Sequence, residues 1–279
     1  MERTGQFTPS ETNALLKSLG HSPQKKLGQN FLVDSNIVRK SLELADVCAG
    51  DCVVEVGPGL GTLTGALLQA GAKVYAIELD KTLFAHLKVY FAENQNLNLI
   101  NADAVNKPLA DLPEDCVNFK IVANLPYAIS TPWLDAVLSG RLPQRMSLML
   151  QKEAALRFSA KKSSGDYSPI SIFLAGAYDA LSPHKVSAAC FHPRPAVDSM
   201  LLPLIRKKTP YIFTPLAKRL IRAVFSKRRK QIGSIVKSAG ADSAYLADWL
   251  NNCPNLNPQA RPEDVSFDDW KTLNEVVQK

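Results

Sequence analysis

Short apolar segments alternate with helix-like segments through the first 160 residues of the chain. Val, Ile and Leu predict strands at residues 52–56, 73–79, 97–102, 119–123 and 146–150. Apolar positions spaced three or four apart predict the helices between them, at residues 62–69, 81–91, 131–138 and 153–160. Strands and helices that alternate in this way are typical of a parallel sheet covered by helices on both faces.

The pattern changes after Pro169. Residues 170–178 predict a buried helix, and residues 185–190 and 197–204 predict two strands joined by a stiff His-Pro-Arg-Pro link. Because this link is too short for a crossover helix, the two strands are predicted to be antiparallel. From Thr214 onward the apolar spacing is helical again, so we place a domain boundary near Ile205.

The composition indicates a globular protein outside the membrane. Hydrophobic residues make up 46% of the chain and charged residues 21%. No apolar stretch approaches the roughly 20 residues that span a bilayer. The first residues show no basic and apolar leader, and the five cysteines are scattered without paired spacing. We therefore expect a cytoplasmic protein with reduced thiols.

The positive charge is concentrated in one part of the sequence. The chain has 33 Lys and Arg against 26 Asp and Glu, a net charge of +7. Residues 201–240 hold 11 basic residues and no acidic one, so the remainder has 22 against 26 and a net charge of −4. Such asymmetry favours a surface for a polyanion, with nucleic acid preferred over a merely solvated helix face.

A glycine-rich turn follows the first predicted strand, from Glu55 to Thr62. Glycines let the backbone turn sharply and let a ligand approach closely. The spacing is G-x-G-x-G, with Thr62 where a dinucleotide-binding turn has its third glycine. Glu55 suits a ligand that carries an ammonium group rather than a phosphate. The turn therefore favours S-adenosylmethionine over a nicotinamide cofactor.

Two further acids end the next predicted strands. Glu78 lies 21 residues beyond Gly57 and is placed to accept both ribose hydroxyls of an adenosine, which either cofactor class contains. Asp103 could accept from an adenine amino group or could cap a helix, and the sequence does not choose between these roles.

The motif Asn124-Leu125-Pro126-Tyr127 closes the fourth predicted strand. The N6 lone pair of adenine is delocalised into the ring, so this nitrogen is a poor nucleophile. Two acceptors holding its N–H bonds draw it toward sp³ geometry, and the Asn124 side-chain oxygen and Leu125 carbonyl are such a pair, held rigid by Pro126. Tyr127 offers a flat face for an extruded base. No general base is needed before transfer, because the alkylated nitrogen loses its proton readily.

Other segments give weaker signals. The four histidines are isolated and no Cys/His cluster has metal spacing, so we predict no metal. Gln151-Lys152-Glu153 could be an acid–base pair, but positioning of a target loop is favoured. The basic loop at residues 161–165 could contact phosphates or be an ordinary surface loop.

These motifs resemble the KsgA family, also called RsmA, of small-subunit (16S) ribosomal RNA adenine N6,N6-dimethyltransferases, over nearly the whole chain. The resemblance lies in the motif at residues 27–32, the turn at residues 55–64, Glu78, Asp103, the motif at residues 124–127, and residues 150–153 and 191–199.

The resemblance implies a fold, a cofactor and a set of site residues. The fold is α/β: a class I, Rossmann-like methyltransferase domain at residues 1–204 with a seven-stranded, mostly parallel sheet, then a small all-helical RNA-binding domain at residues 205–279. The expected S-adenosylmethionine contacts, with those that the glycine turn adds, are Asn30, Leu32, Glu55, Gly57, Gly59, Glu78, Asp103 and Asn124. Asn124, Leu125 and Pro126 would hold the target N6, with Tyr127 and Phe191 on either side of the adenine.

The resemblance also implies a substrate. The family transfers two methyls to each of two adjacent adenines near the 3′ end of the small-subunit RNA, in a partly assembled subunit, and we expect a monomer. His192 and Arg194 stand where relatives often have small residues or prolines, so the resemblance does not define the details of the substrate loop. The expected phosphate contacts in the helical domain are Lys218, Arg219, Arg222, Lys227, Arg228, Arg229 and Lys230.

Four alternatives differ in substrate or class. Erm-type methyltransferases modify large-subunit RNA, but Leu125 and the Leu60-Gly61-Thr62 turn favour the KsgA type. A DNA adenine methyltransferase would need more room for base readout than about 75 residues allow. A non-catalytic assembly factor is disfavoured by the intact Asn124 and Tyr127. An NAD-dependent dehydrogenase is disfavoured by Thr62 and by the lack of a catalytic His or Lys–Tyr pair.

Overall fold

The computed structural model of the chain describes residues 7–126 and 128–278, except the side chain of Lys25. The polypeptide forms two compact units, each built from two separate segments. The first unit contains the chain up to Ala155 together with Ala180–Arg206, and the second contains Leu156–Asp179 together with the chain from Lys207 onward.

Helices and strands alternate along the described residues. The helices are α1 (Pro9–Ser18), α2 (Ser35–Leu44), α3 (Thr62–Gln69), α4 (Lys81–Tyr90), α5 (Ser130–Val137), α6 (Lys152–Phe158), α7 (Pro169–Ala177), α8 (Pro215–Ser226), α9 (Ile232–Lys237), α10 (Ser243–Asn252) and α11 (Phe267–Val276). The strands are β1 (Phe31–Leu32), β2 (Cys52–Val56), β3 (Lys73–Glu78), β4 (Leu97–Asn101), β5 (Phe119–Asn124), β6 (Arg145–Gln151), β7 (Tyr178–Ala180), β8 (His184–Val186), β9 (Phe191–His192) and β10 (Ser199–Arg206).

The main sheet has the strand order β4-β3-β2-β5-β6-β10-β7, with β8 also paired to β10. Strands β4, β3, β2, β5 and β6 pair in parallel, as predicted. Strand β10 runs antiparallel to β6 and to β8, which confirms the predicted antiparallel pair. Strands β1 and β9 form a separate antiparallel pair, Leu32 opposite Phe191, that the sequence pattern did not predict.

The parallel strands are apolar along most of their length because helices cover both faces of the sheet. Val53, Val54, Val74, Ala76 and Ile121 are fully buried in its centre. A continuous apolar strand has no polar face to present to water, so its place between two helical layers follows from the sequence. This packing fixes the carboxyl ends of the strands, where the chemistry-bearing side chains stand.

The sequence-based elements are wrong in two places after residue 170. The predicted helix at 170–178 ends at Ala177, because Tyr178 has extended backbone and begins β7, an eighth strand beyond the seven predicted. The predicted strand at 185–190 stops at Val186. The Ser187 hydroxyl then accepts from the Ala189 N–H (3.2 Å) and starts a 3₁₀ turn at Ala188–Cys190.

The second unit also differs from the predicted division after residue 204. The chain passes into it after Arg206, but it additionally includes the segment with α7, which the prediction assigned to the first domain. The Phe173 ring lies 5.6 Å from that of Phe213, and the Tyr211 N–H donates to the Gly176 carbonyl (2.9 Å). Helix α7 therefore completes the core of the helical unit.

No helix in the described part of the chain is long and apolar enough to cross a membrane.

Candidate active site

A cleft opens in the first unit at the carboxyl ends of the parallel strands β2, β3 and β5. The residues that line it come from these strand ends, from the glycine turn, from the segment after β4 and from the chain before β1. In open α/β sheets, this edge is where ligands bind. Every cofactor residue that the sequence predicted lies on the cleft: Asn30, Leu32, Glu55, Gly57, Gly59, Glu78, Asp103 and Asn124.

The glycine turn has the left-handed backbone that the sequence pattern indicates. Gly59 has φ of +62°, and a Cβ atom there would lie 3.1 Å from the Phe31 ring. Its N–H donates to Glu78 Oε2 (3.0 Å). The absence of a side chain therefore keeps this wall of the cleft open and lets the turn hold the carboxyl group of the next strand.

Glu55 lies at the floor of the cleft and is 1% exposed. Its Oε2 accepts from the Thr64 hydroxyl (2.7 Å), whereas Oε1 has no hydrogen-bond partner among the described residues. Burial, only partly offset by the Thr64 hydrogen bond, raises the pKa of Glu55 to about 8. An acceptor without a partner in such a place fits a donor on a ligand, and an ammonium group would satisfy it.

Glu78 is fixed by backbone groups on both carboxyl oxygens. Oε2 accepts from the Gly59 N–H, and Oε1 accepts from the Asp80 N–H (2.8 Å). Burial, partly offset by these hydrogen bonds, raises the pKa of Glu78 to about 7. Since each carboxyl oxygen has a second lone pair, the group can still accept from a diol such as a ribose.

Asp103 caps a turn rather than a helix, and its predicted contact with an adenine amino group stays a prediction. Its Oδ1 accepts from the Val105 N–H (2.8 Å), which stabilises the turn after β4. The same residue lines the cleft. A carboxylate held in this way can accept from a ligand with its remaining lone pairs.

Asn124 ends β5, and its amide has a defined orientation. Nδ2 donates to the backbone carbonyl of Asn30 (3.1 Å). The donor end of the amide is therefore committed to the protein, and Oδ1 is the acceptor end. The following N–H, of Leu125, donates to the Met149 carbonyl (3.2 Å), which anchors the start of the motif to the neighbouring strand β6.

The chain before β1 is held by Asp80, a connection that sequence reasoning missed. Asp80 Oδ2 accepts from Gln24 Nε2 (2.9 Å) and from Gln29 Nε2 (3.0 Å), and His21 Nε2 lies 3.7 Å away. Burial alone would raise the pKa of Asp80, but the hydrogen bond from Gln29 and its other partners lower it. The signal in the sequence was the Asp that follows Glu78 by two residues, which reads equally well as the N-cap of α4.

The structure describes one of the two predicted stacking residues. Tyr127 lies outside the described residues. Phe191 is 4% exposed and belongs to the core of the first unit with Leu32 and Met149; it is part of β9 and lies opposite Leu32 in the β1–β9 pair. Its stacking role stays a prediction, since in this structure the ring contributes to the core.

The predicted phosphate contacts in the helical unit divide into two groups. Five have partners within that unit: Lys218 and Arg222 over the Phe173 ring (5.4 and 5.2 Å), Arg219 on Asp242 (2.8 and 2.9 Å), Lys227 on the Ser238 carbonyl (3.0 Å), and Arg228 on Glu263 (3.3 Å). Lys218 is 5% exposed and packs over the Phe173 ring, and its phosphate contact stays a prediction.

Arg229 and Lys230 make up the second group. Both are exposed in the turn between α8 and α9, and within the described chain neither side chain has a hydrogen bond or ion pair. Their charges are therefore available to an anion.

The described residues contain no group of three or more His, Cys, Asp or Glu that could hold a metal ion. The expectation that no metal takes part stays a prediction.

Comparisons with known proteins agree with the geometry. Residues 20–279 match the family model described as ribosomal RNA adenine dimethylase. The chain is 55% identical over 272 residues to ribosomal RNA small subunit methyltransferase A of Opitutus terrae, covering 96% of this chain and 98% of that protein. A dimethyladenosine transferase structure from Plasmodium falciparum is 26% identical, with a TM-score of 0.70 over 87% of this chain and 95% of that one. The 23S rRNA methyltransferase ErmE, 24% identical with a TM-score of 0.62 over 90% and 100%, shares the fold.

A parallel sheet with a glycine turn and acids at its carboxyl edge, in a fold shared with these enzymes, defines a class I S-adenosylmethionine-dependent methyltransferase. The unsatisfied Glu55 oxygen and the open wall at Gly59 fit that cofactor. The chain belongs to the ribosomal RNA adenine dimethylase family.

Proposed function

We propose that the chain transfers methyl groups from S-adenosylmethionine to N6 of two adjacent adenines near the 3′ end of small-subunit (16S) rRNA, dimethylating each. It acts as a cytoplasmic monomer on a partly assembled small subunit. The observation that carries the chemistry is the Asn124 amide, whose nitrogen is held by the Asn30 carbonyl at the edge of the cofactor cleft. The relative from Opitutus terrae, named for the small subunit, supports the choice of RNA.

Asn124 and Leu125 prepare the target nitrogen. Because Asn124 Nδ2 donates to Asn30, Oδ1 is the atom that accepts one N–H of the adenine amino group. The Leu125 carbonyl accepts the other, and Pro126 restricts the backbone that presents it. Two acceptors localise the lone pair on N6. S-adenosylmethionine, when bound, supplies an electrophilic methyl group. The rate then comes from positioning and fixed dipoles rather than from a general base.

The cleft residues hold the donor. Glu55 Oε1 accepts from its ammonium group, and Glu78, fixed by Gly59 and Asp80, accepts from its ribose hydroxyls. Asp103 accepts from its adenine amino group. Asn30, Leu32 and Gly57 complete the walls.

The RNA backbone is held by the helical unit, chiefly by Arg229 and Lys230, whose charges have no partner in the described chain. Arg228 is a less direct contact, since it pairs with Glu263 and donates to the Ser164 carbonyl (3.2 Å). That second bond anchors the basic loop at residues 161–165 beside the turn at residues 227–230, which favours a phosphate-binding role for the loop. Tyr127 and Phe191 are proposed to stack on the target adenine.

Labelled S-adenosylmethionine tests the proposal. Wild-type protein, Asn124→Ala and the matched surface control Asn98→Ala are each incubated with unmethylated small subunits, large-subunit RNA and duplex DNA. We expect label only in small subunits, as N6,N6-dimethyladenine. The control should keep wild-type activity, and Asn124→Ala should lose roughly 100-fold or more.

Two results would contradict the proposal. Label in large-subunit RNA or DNA, with none in small subunits, would refute the substrate. Full activity of Asn124→Ala would refute the role of its amide.

A further inference from the structure

The segment from His21 to Gln29 is attached to the sheet through one carboxyl group. Asp80 Oδ1 caps helix α4 by accepting from the Thr82 and Leu83 N–H groups (2.9 and 3.2 Å). Oδ2 accepts from the side chains of Gln24 and Gln29. One buried carboxylate therefore fixes both the start of a helix and the segment that precedes β1.

Gln29 is the central residue of this attachment because it uses both ends of its amide. Nε2 donates to Asp80, while Oε1 accepts from the Gln24 N–H (2.8 Å) and lies 3.1 Å from His21 Nε2. A glutamate would place a carboxylate against Asp80, and an apolar side chain would leave the Gln24 N–H without this acceptor. The site therefore requires an amide at this position.

The residue after Gln29 contacts the catalytic motif. The Asn30 carbonyl accepts from Asn124 Nδ2, so its position sets the orientation of the Asn124 amide. Asp80 also donates its backbone N–H to Glu78 Oε1. Glu78, which is proposed to hold the ribose, is thus connected to Asn124, which is proposed to hold the target base. The connection runs through hydrogen bonds by way of Asp80 and Gln29 and through the peptide unit between Gln29 and Asn30.

We propose that Gln29 is a positioning residue for methyl transfer. Its contact with Asp80 fixes the Asn30 carbonyl, and this carbonyl holds Asn124 with Oδ1 toward the adenine. The inference rests on the proposed role of Asn124 and extends it to Gln29, which lines the cleft and acts on Asn124 through the Asn30 carbonyl. When the contact is lost, the Asn124 amide rotates among several orientations, and only a fraction of bound complexes are aligned for transfer.

A reversed pair tests this role. Gln29→Glu sets two carboxylates together, and Asp80→Asn removes the acceptor while keeping an N-cap side chain for α4. In the double variant, the new asparagine donates to the new glutamate, which restores the contact with opposite polarity. Gln29→Met removes the contact without adding charge, so the test does not depend on the folding of Gln29→Glu. The exposed Gln95→Glu is the matched charge control.

Three quantities are measured: the unfolding midpoint, the Kd for S-adenosylmethionine without RNA, and the single-turnover rate at saturating donor and small subunits. We expect each single variant to lose roughly 10- to 100-fold in the saturated rate. The double variant should recover at least tenfold over either single one, and Gln95→Glu should match wild type.

A merely structural role predicts a different result. Folded single variants would then show a lower unfolding midpoint but a wild-type saturated rate, and this outcome would overturn the inference. Additive losses in the double variant would overturn it as well. Failure of the proposed function would be separate, because wild-type protein would then label another RNA, and the same variants would be compared on that RNA.

Discussion

At the scale of single residues, the cleft contains two buried carboxyl groups, those of Glu55 and Glu78. The pKa values of Glu55 and Glu78, about 8 and about 7, both exceed the ordinary value of 4.5. The folded chain therefore holds two protons that the unfolded chain loses above pH 4.5. The free energy of unfolding falls as pH rises through this window, up to about pH 8 for Glu55. This cost suits a site whose buried carboxylates gain further partners from a ligand.

Donor binding should consequently release protons. An ammonium group on Glu55 and hydroxyls on Glu78 stabilise the ionised carboxylates. We therefore expect the Kd for S-adenosylmethionine to tighten by up to about a hundredfold per pH unit below pH 7, where both carboxyls lose a proton, and by up to about tenfold between pH 7 and pH 8, where Glu55 does. Calorimetry at pH 7 in two buffers of different ionisation enthalpy measures the protons released. Glu55→Gln should release fewer, and the exposed Glu93→Gln should match wild type. Equal binding enthalpies in the two buffers would count against these partners.

The sequence was enough to locate the cleft residues but not to predict the protonation of their carboxyl groups. Glu55, Glu78 and Asn124 were recognisable because each is the last or next-to-last residue of a strand, and strand ends share one edge of a parallel sheet. Their raised pKa values depend on burial by residues far away in sequence. The Gln29–Asp80 contact spans 51 positions, and neither residue has a spacing that points to the other. The burial of Phe191 in the core is likewise visible only in the folded chain, and its stacking role stays a prediction.

At the scale of elements, the start of α3 depends on a glycine. Gly61 is the N-cap with φ of +93°, and a Cβ atom there would lie 2.7 Å from Phe91 Cε2 and 2.9 Å from Leu87 Cδ2. The left-handed backbone and the close approach of α4 both require a residue without a side chain. The Gly61 N–H also donates to the Pro58 carbonyl (2.9 Å), which closes the turn.

Gly61→Ala should lower the free energy of unfolding by roughly 2–5 kcal/mol, the sum of left-handed strain and overpacking. Gly50→Ala is the control, since Gly50 has φ of +85° but nothing within 4 Å of its would-be Cβ. It should cost only roughly 1–2 kcal/mol. Denaturant unfolding of both variants gives the difference. Equal losses would mean that the contacts with Phe91 and Leu87 contribute nothing.

Regular elements of the parallel sheet were predictable from the sequence, often to within a residue. Strand β2 and helix α3 have the predicted bounds, because a buried apolar run and a glycine turn define both ends. The short strands β1, β7 and β9 were missed. Strands of two or three residues are stabilised by pairing with other strands, and they are too short to show a periodic pattern of apolar residues.

At the scale of the whole molecule, the structure redistributes the charge. The second unit has 16 Lys and Arg against 9 Asp and Glu, and the first has 17 of each. The entire net charge of +7 therefore belongs to the helical unit, and the catalytic unit is neutral rather than at −4. Some of the basic residues in 201–240 form ion pairs with acidic residues outside this window, as Arg219 does with Asp242.

The salt dependence of RNA binding should report which of these charges remain available. Lys230→Glu should reduce the slope of log affinity against log salt by roughly 0.7–0.9 for each lost phosphate contact. Lys88→Glu makes the same change on an exposed position of the neutral unit and should leave the slope unchanged. Filter binding of small subunits across a salt series measures both. Identical slopes for the two variants would argue against a phosphate contact at Lys230.

The interrupted chain path of the helical unit has a consequence for recombination between relatives. Because α7 lies between β6 and β10 in sequence yet packs with the C-terminal helices, the unit has no contiguous coding segment. If residues 207–279 alone were replaced by those of a relative, the new helices would pack against the original α7. Phe173 would then contact whichever residue the relative has in place of Phe213. Acquiring a different helical unit by recombination therefore requires that both of its segments be exchanged together. This requirement favours the inheritance of the two units as one gene.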